Sequence, residues 1–257
     1  MDGAYGALVG ANNPAGPSLA VNRRGDAVVL WVDGPGPSTY VRARFRPAGG
    51  TWGPARELSN IGDTPAGSAA VALDEDGDAL ATWTVIAGGR FSIQTAWLPA
   101  GAAQWQAAAP LTSTADDDRS PSVAFAPDGQ ATVLWSHVPS GGTRVVRSRT
   151  RATDGTWSTP ADVPASAGGS GPKLGIDAAG NATAVWYATA GMLLAFGSSR
   201  PAGGGWQSGV QVSPNGSDIS GVNLSVADDG DALAVWSRTV GADDVAQASE
   251  RAAGSTW

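Results

Sequence analysis

Apolar positions in this chain fall in paired short runs separated by a four-residue polar turn. Ser68-Ala-Ala-Val-Ala-Leu73 runs into Asp74-Glu75-Asp76-Gly77, and Asp78-Ala-Leu-Ala-Thr-Trp83 follows. The turn recurs as Asn22-Arg23-Arg24-Gly25, Ala126-Pro127-Asp128-Gly129, Asp177-Ala178-Ala179-Gly180 and Ala227-Asp228-Asp229-Gly230. Glycine stands fourth in all five, and Asp or Asn stands first in three. A type I turn closed by a left-handed glycine has this chemistry and joins hairpin strands. Both runs are almost continuously apolar, as strands covered on both faces are.

A third run alternates, clearest in Val41-Arg-Ala-Arg-Phe-Arg46 and Val145-Val-Arg-Ser-Arg-Thr-Arg151, so it predicts a strand nearer solvent. A second turn then leads to tryptophan in Gly49-Gly50-Thr51-Trp52, Asp154-Gly155-Thr156-Trp157, Gly203-Gly204-Gly205-Trp206 and Gly254-Ser255-Thr256-Trp257. The stretch Trp52-Gly-Pro-Ala-Arg-Glu-Leu58 predicts a fourth strand. Pro54 and Pro160 make it an edge, because proline cannot donate to a ladder.

Tryptophan sets the period. Trp31, Trp83, Trp135, Trp186 and Trp236 recur at 52, 52, 51 and 50 residues; Trp52, Trp105, Trp157, Trp206 and Trp257 follow 20 to 22 residues behind. Only Trp97 stands outside. A fixed period near fifty marks a repeat architecture. Four antiparallel strands repeated five times describe an all-β, five-bladed β-propeller. The units fall at about 17–59, 67–112, 121–163, 171–213 and 221–257, and the whole of 1–257 reads as one domain. Counting back thirteen residues from Val71 gives Leu58 in a fourth strand, and the same count from Val21 gives Leu8. The N-terminal residues 3–9 are therefore expected to close the last blade, whose own fourth strand is missing.

Composition narrows the chemistry. With 42% hydrophobic and 15% charged residues the chain can bury a core. A net charge of −7 argues against nucleic-acid and anionic-membrane partners, both of which need a basic face. The absence of cysteine excludes disulfides, thiolate metal sites and cysteine nucleophiles. No cofactor is expected. The longest apolar stretches, such as Met192-Leu193-Leu194-Ala195-Phe196, are far short of a membrane span. Met1-Asp2-Gly3-Ala4-Tyr5 lacks the basic and apolar regions of a signal peptide. An extracellular, monomeric domain whose leader has been removed is preferred to a cytoplasmic one.

Arg151-Ala-Thr-Asp-Gly-Thr-Trp-Ser-Thr-Pro160 resembles the Asp-box of bacterial neuraminidase repeats, a turn between the third and fourth strands of a blade. The box aspartate is present only as Asp154. The resemblance implies a propeller fold, with the box on the face away from any active site. Sialidases of that family would carry an arginine triad, a tyrosine nucleophile with a partner carboxylate, and usually six blades; this chain has five units and three tyrosines. Arabinanase-type five-bladed glycosidases place three carboxylates on innermost strands. Those strands read here as Ser18-Leu-Ala-Val21, Ser68-Ala-Ala-Val71, Ser122-Val-Ala-Phe125, Lys173-Leu-Gly-Ile176 and Val222-Asn-Leu-Ser225, without Asp or Glu. Glycoside hydrolysis needs a positioned carboxylate pair, so a binding or scaffold module is preferred, with a sialidase-like glycoside hydrolase as the alternative.

The loops joining strand four to the next strand one, and strand two to strand three, share one face. That face is expected to hold Asn12, Asn13, Asp63, Asp116, Asp117, Asp118, Arg119, His137, Tyr187, Asn215, Asp218, Arg238, Asp243 and Asp244. Asp116-Asp117-Asp118-Arg119 is either a calcium loop or a solvated one. Asp74-Glu75-Asp76-Gly77-Asp78 has a calcium-loop look that the repeat explains as a hairpin turn. His137 is read as an exposed loop residue, and Arg42, Arg44, Arg46, Arg147, Arg149 and Arg151 as a solvated strand face open to an acidic partner. Trp31, Trp83, Trp135, Trp186 and Trp236 either fill the junctions between blades or stack on sugars in five equivalent pockets. The ligand is then a carbohydrate or a protein, bound at the residues Asp116, Asp117, Asp118, Arg119, His137, Tyr187 and Arg238 or at those tryptophans.

Overall fold

The computed structural model describes residues 16–33, 39–60, 64–216, 218–241 and 243–257. These residues form five antiparallel sheets and no helix, each sheet ordered as it runs in sequence. The architecture is that of a five-bladed β-propeller. The inner strands are Ser18–Val21, Thr64–Leu73, Asp117–Phe125, Ser170–Ile176 and Ile219–Val226. Second strands Ala27–Asp33, Ala79–Ala87, Ala131–Val138, Ala182–Thr189 and Ala232–Val240 follow. Third strands are Tyr40–Arg46, Arg90–Leu98, Val145–Arg151, Leu193–Arg200 and Asp243–Arg251. The outer strands of the first four sheets shrink to pairs, Arg56–Glu57, Ala109–Pro110, Ala161–Asp162 and Val210–Gln211, which leaves little free ladder. The expected closing strand at residues 3–9 lies outside the described residues.

The hairpin turns form as their chemistry requires. Gly25, Gly77, Gly129, Gly180 and Gly230 all have φ between 80 and 98°, and each donates its N–H to the carbonyl three residues back. In the acidic turn, Asp74 Oδ1 accepts the N–H groups of Asp76, Gly77 and Asp78 at 2.8–3.0 Å. Burial nevertheless holds its carboxyl above the usual range, with the Asp78 charge adding to the effect. The residue after the glycine clamps the other turn of its own blade. Asp26, Asp78, Asn181 and Asp231 accept from the backbone N–H of Ala48, Ala100, Ala202 and Ala253. These carboxylates are therefore turn chemistry.

Packing follows the tryptophan period. Each of four apolar clusters sits at a junction between consecutive blades and takes both tryptophans of the later blade. Trp83 and Trp105 lie in the first, Trp135 and Trp157 in the second, Trp186 and Trp206 in the third, Trp236 and Trp257 in the fourth. Third-strand arginines tie the same junctions. Arg200 Nη2 donates to Thr132 Oγ1 at 2.8 Å, and Arg251 Nη2 to Thr183 Oγ1 at 2.6 Å, each sixty-eight residues back. In blade two the threonine position is Leu80, and Arg151 stacks on Trp97 instead, 3.8 Å from the ring centre. That contact accounts for the one tryptophan outside the period.

Two sequence expectations are corrected. The solvated arginine face is largely engaged: Arg42 pairs with Asp33 and Glu57, Arg147 with Asp162, and Arg149 donates to the Leu111 and Ser158 carbonyls. The inner strands also extend further than the apolar runs. Val21 pairs with Ala27 and Leu73 with Ala79, so Leu73 and not Val71 is the counterpart of Val21. The count that led back to Leu8 was therefore made from the wrong counterpart. A bulge also interrupts the inner strands of blades two to five, with two extra residues in blade two and one in each of the other three. In three blades it coincides with φ of 55–58°, at Ser120, Gly171 and Gly221.

Candidate functional site

Beside these bulges the five inner strands enclose an open axial cavity of about 570 Å³. Its wall is built from equivalent backbone segments: residues 16–18, 68–71, 120–123, 171–173 and 221–223, with Tyr187 entering from a second strand. Ser18, Ala70, Ser122, Lys173 and Asn223 share one register position, since they pair with Leu30, Thr82, Leu134, Val185 and Val235, each the residue before a first-series tryptophan. Ser18 Oγ accepts from Val71 N–H and Ser122 Oγ from Leu174 N–H, both at 3.1 Å, which stitches one inner strand to the next. No Asp or Glu lines this cavity among the described residues.

At the other end of the axis the five hairpin turns surround a second opening of about 290 Å³. Its lining includes Asp74, Glu75, Asp76, Asp177 and Asp228, with Arg23 as the one cation among the described residues. Arg23 is ion-paired to Asp228 and its N–H faces the Glu75 carboxylate. This pair joins the turns of the first and last blades.

The acidic segment of blade three separates into distinct roles. Asp117, Asp118 and Arg119 belong to the inner strand and not to a loop, so that strand does carry carboxylates, contrary to the sequence reading. Neither aspartate reaches the axial cavity. Asp118 is 3% exposed and accepts from Trp135 Nε1 at 2.8 Å and from His137 Nδ1 at 2.7 Å. Asp117 Oδ1 accepts from Phe91 N–H at 2.9 Å; that bond first, and Arg119 after it, holds its carboxyl below the usual range. Arg119 lies 3.5 Å above the Phe91 ring. Asp116 Oδ1 accepts from Ser140 N–H. Among the described residues no group of three His, Asp or Glu is arranged to hold a metal ion.

His137 is the clearest correction. It lies on a second strand and is 2% exposed. Trp83, Trp135, Trp186 and Trp236 are buried as well, so their rings fill the junctions and present no face to a sugar. Their surroundings also differ by blade. The residue two after the tryptophan is Asp33, Val85, His137, Ala188 or Arg238. Trp31 Nε1 donates to Asp33 and Trp236 Nε1 to Gln247. Arg238 donates to Gln247 and to the Asn215 carbonyl. Asp218 repeats the role of Asp117, accepting from Leu193 N–H, and Asp244 accepts from Thr239 Oγ1. Asn12, Asn13 and Asp63 lie outside the described residues.

Of the residues singled out from sequence, Tyr187 alone lines the axial cavity. Lys173 was passed over as a ligand, although it is the only lysine in the chain. Counting seven residues back from each hairpin glycine reaches it and its four counterparts.

No protein-family model matches this chain, and no curated protein matches it by sequence. Solved structures do resemble it. The BP39L lectin from Burkholderia pseudomallei superposes with a TM-score of 0.68 at 16% identity, covering 94% of this chain and 68% of the lectin. The endo-arabinase from Bacteroides thetaiotaomicron VPI-5482 gives 0.53 at 12%, covering 93% and 94%. A Hadza microbial sialidase gives 0.59 at 13%; the match covers 86% of this chain and about half, 52%, of the sialidase. The likeness to such propellers carries the fold.

Proposed function

We propose that this chain is a non-catalytic, carbohydrate-binding propeller that engages its ligand in the axial cavity on the loop side. The observation that carries the reading is the cavity wall: all five inner strands contribute to it, it holds hydroxyl, amide, phenol and ammonium groups, and among the described residues it has no carboxylate. Polar groups converging in one concave site suit a sugar. Lectin and glycan-processing propellers among the structural neighbours support the ligand class. Binding is favoured over glycoside hydrolysis because that chemistry needs two carboxyl groups flanking one bond, while Asp117 and Asp118 are taken up by Phe91, Trp135 and His137. A single axial site is favoured over five equivalent pockets because four of the five tryptophans that would form them are buried.

Calorimetric titration with glycans chosen from an array tests this. One site per chain is expected, and five sites would return the function to the blade junctions. Turnover of chromogenic glycosides that disappears in Asp117→Asn or Asp118→Asn would replace binding by hydrolysis.

A further inference from the structure

Lys173 is a departure from the repeat. Its counterparts Ser18 and Ser122 accept a backbone N–H from the next inner strand, and an ammonium group has no acceptor with which to do so. It is exposed on the cavity wall, and no ion pair or hydrogen bond engages its side chain among the described residues. The other polar side chains on the wall are neutral, among them Ser122 and Asn223 at the same register position of the neighbouring blades and Tyr187. A chain with 23 acidic residues and one lysine has thus set that lysine inside its axial cavity, without a carboxylate partner among the described residues. Solvated surface lysines spread over loops and strand faces; this one lies where five strands converge.

We infer that Lys173 makes the axial cavity selective for a sugar bearing a single anionic group, a carboxylate or a sulfate ester, which its ammonium group pairs with. Asn223 and Tyr187 supply neutral donors for the rest of the ring. A neutral hydroxyl or carbonyl can accept from an ammonium group, but an anion in a partly enclosed site adds direct charge–charge attraction to that bond. This assignment rests on the carbohydrate reading above and adds the charge class of the sugar.

The uniqueness of the lysine provides the probe. Reductive ¹³C-methylation of the intact protein keeps the charge and labels Lys173 and the α-amine only. Sodium glucuronate and galactose 6-sulfate distinguish the two anion types, galactose is the neutral control, and inorganic sulfate is the anion without a sugar. Saturable movement of the Lys173 resonance with one or both charged sugars, and none with galactose, is expected. Lys173→Gln should weaken the charged sugar at least ten-fold by calorimetry, and Lys173→Arg should retain it. Charged sugar binding that leaves the resonance still, or that is as tight in Lys173→Gln, overturns the assignment. Movement with inorganic sulfate but with neither charged sugar overturns the carbohydrate reading while leaving an anion site. Silence with all four probes overturns both.

Discussion

Asp118 and His137 form a buried pair, Oδ1 to Nδ1 at 2.7 Å, and the same carboxylate oxygen takes the Trp135 indole N–H at 2.8 Å. The other blades have no aspartate at the position of Asp118, so this is a fastening particular to blade three. Replacing Asp118 by alanine would strand two buried donors at about 1–3 kcal/mol each. Chemical denaturation should show a loss of that order. If stability is unchanged while glycan binding disappears, Asp118 is a ligand-binding residue.

The arginine–threonine ties predict a coupling. Arg200 and Thr132 meet across blades three and four, and burial lowers the arginine's pKa from its usual value. A double-mutant cycle of Arg200→Met with Thr132→Val should give an interaction of about 0.5–3 kcal/mol. Additive effects would mean that the arginine acts by its packed stem alone.

Tryptophan position decides cost. Trp83 is fully buried, and Trp83→Ala should cost about 3–5 kcal/mol. Trp52 is 41% exposed beneath Arg46, 5.4 Å away, and Trp52→Ala should cost markedly less. Equal melting losses in the two variants would contradict the junction packing.

Acid sensitivity follows from Asp26. Hydrogen bonds from Asn22 first, and from Ala48 N–H next, hold its carboxyl below the usual range. A lowered folded-state pKa gives stability that is present above the unfolded value, near 3.9, and lost as pH falls through the folded one. Asp74, held above its usual range, acts in the opposite sense. The difference in unfolding free energy between the wild type and Asp26→Asn should therefore shrink between about pH 5 and 3. A constant difference would show that the carboxylate charge contributes nothing.

The fold was legible because the repeat is written in residues with strong local demands. Glycine recurs at all five left-handed hairpin turns and tryptophan at a fixed period, with the rings of blades two to five at junctions, so the blades could be counted. The site was less legible. The apolar run of blade two begins at Ser68, two residues before the counterpart of Ser18, which puts its inner strand out of register, and a bulge, which leaves no composition signal, cuts the strand of blade three short of Asp118. Charge density drew attention to Asp116, Asp117 and Asp118, yet at least two of them serve the scaffold. Lys173 carried the opposite signal, one residue of its type at a position where its counterparts are small or polar.

The two openings of the axis differ in sign. An acidic polymer approaching the turn side meets the exposed carboxylates of Glu75, Asp76 and Asp228 around the ion-paired Arg23 and is repelled, while the wall of the loop-side opening holds Lys173 as its cation among the described residues. Under the proposed function, a negatively charged glycan is therefore expected to enter from the loop side and to present an end or a side branch to Lys173.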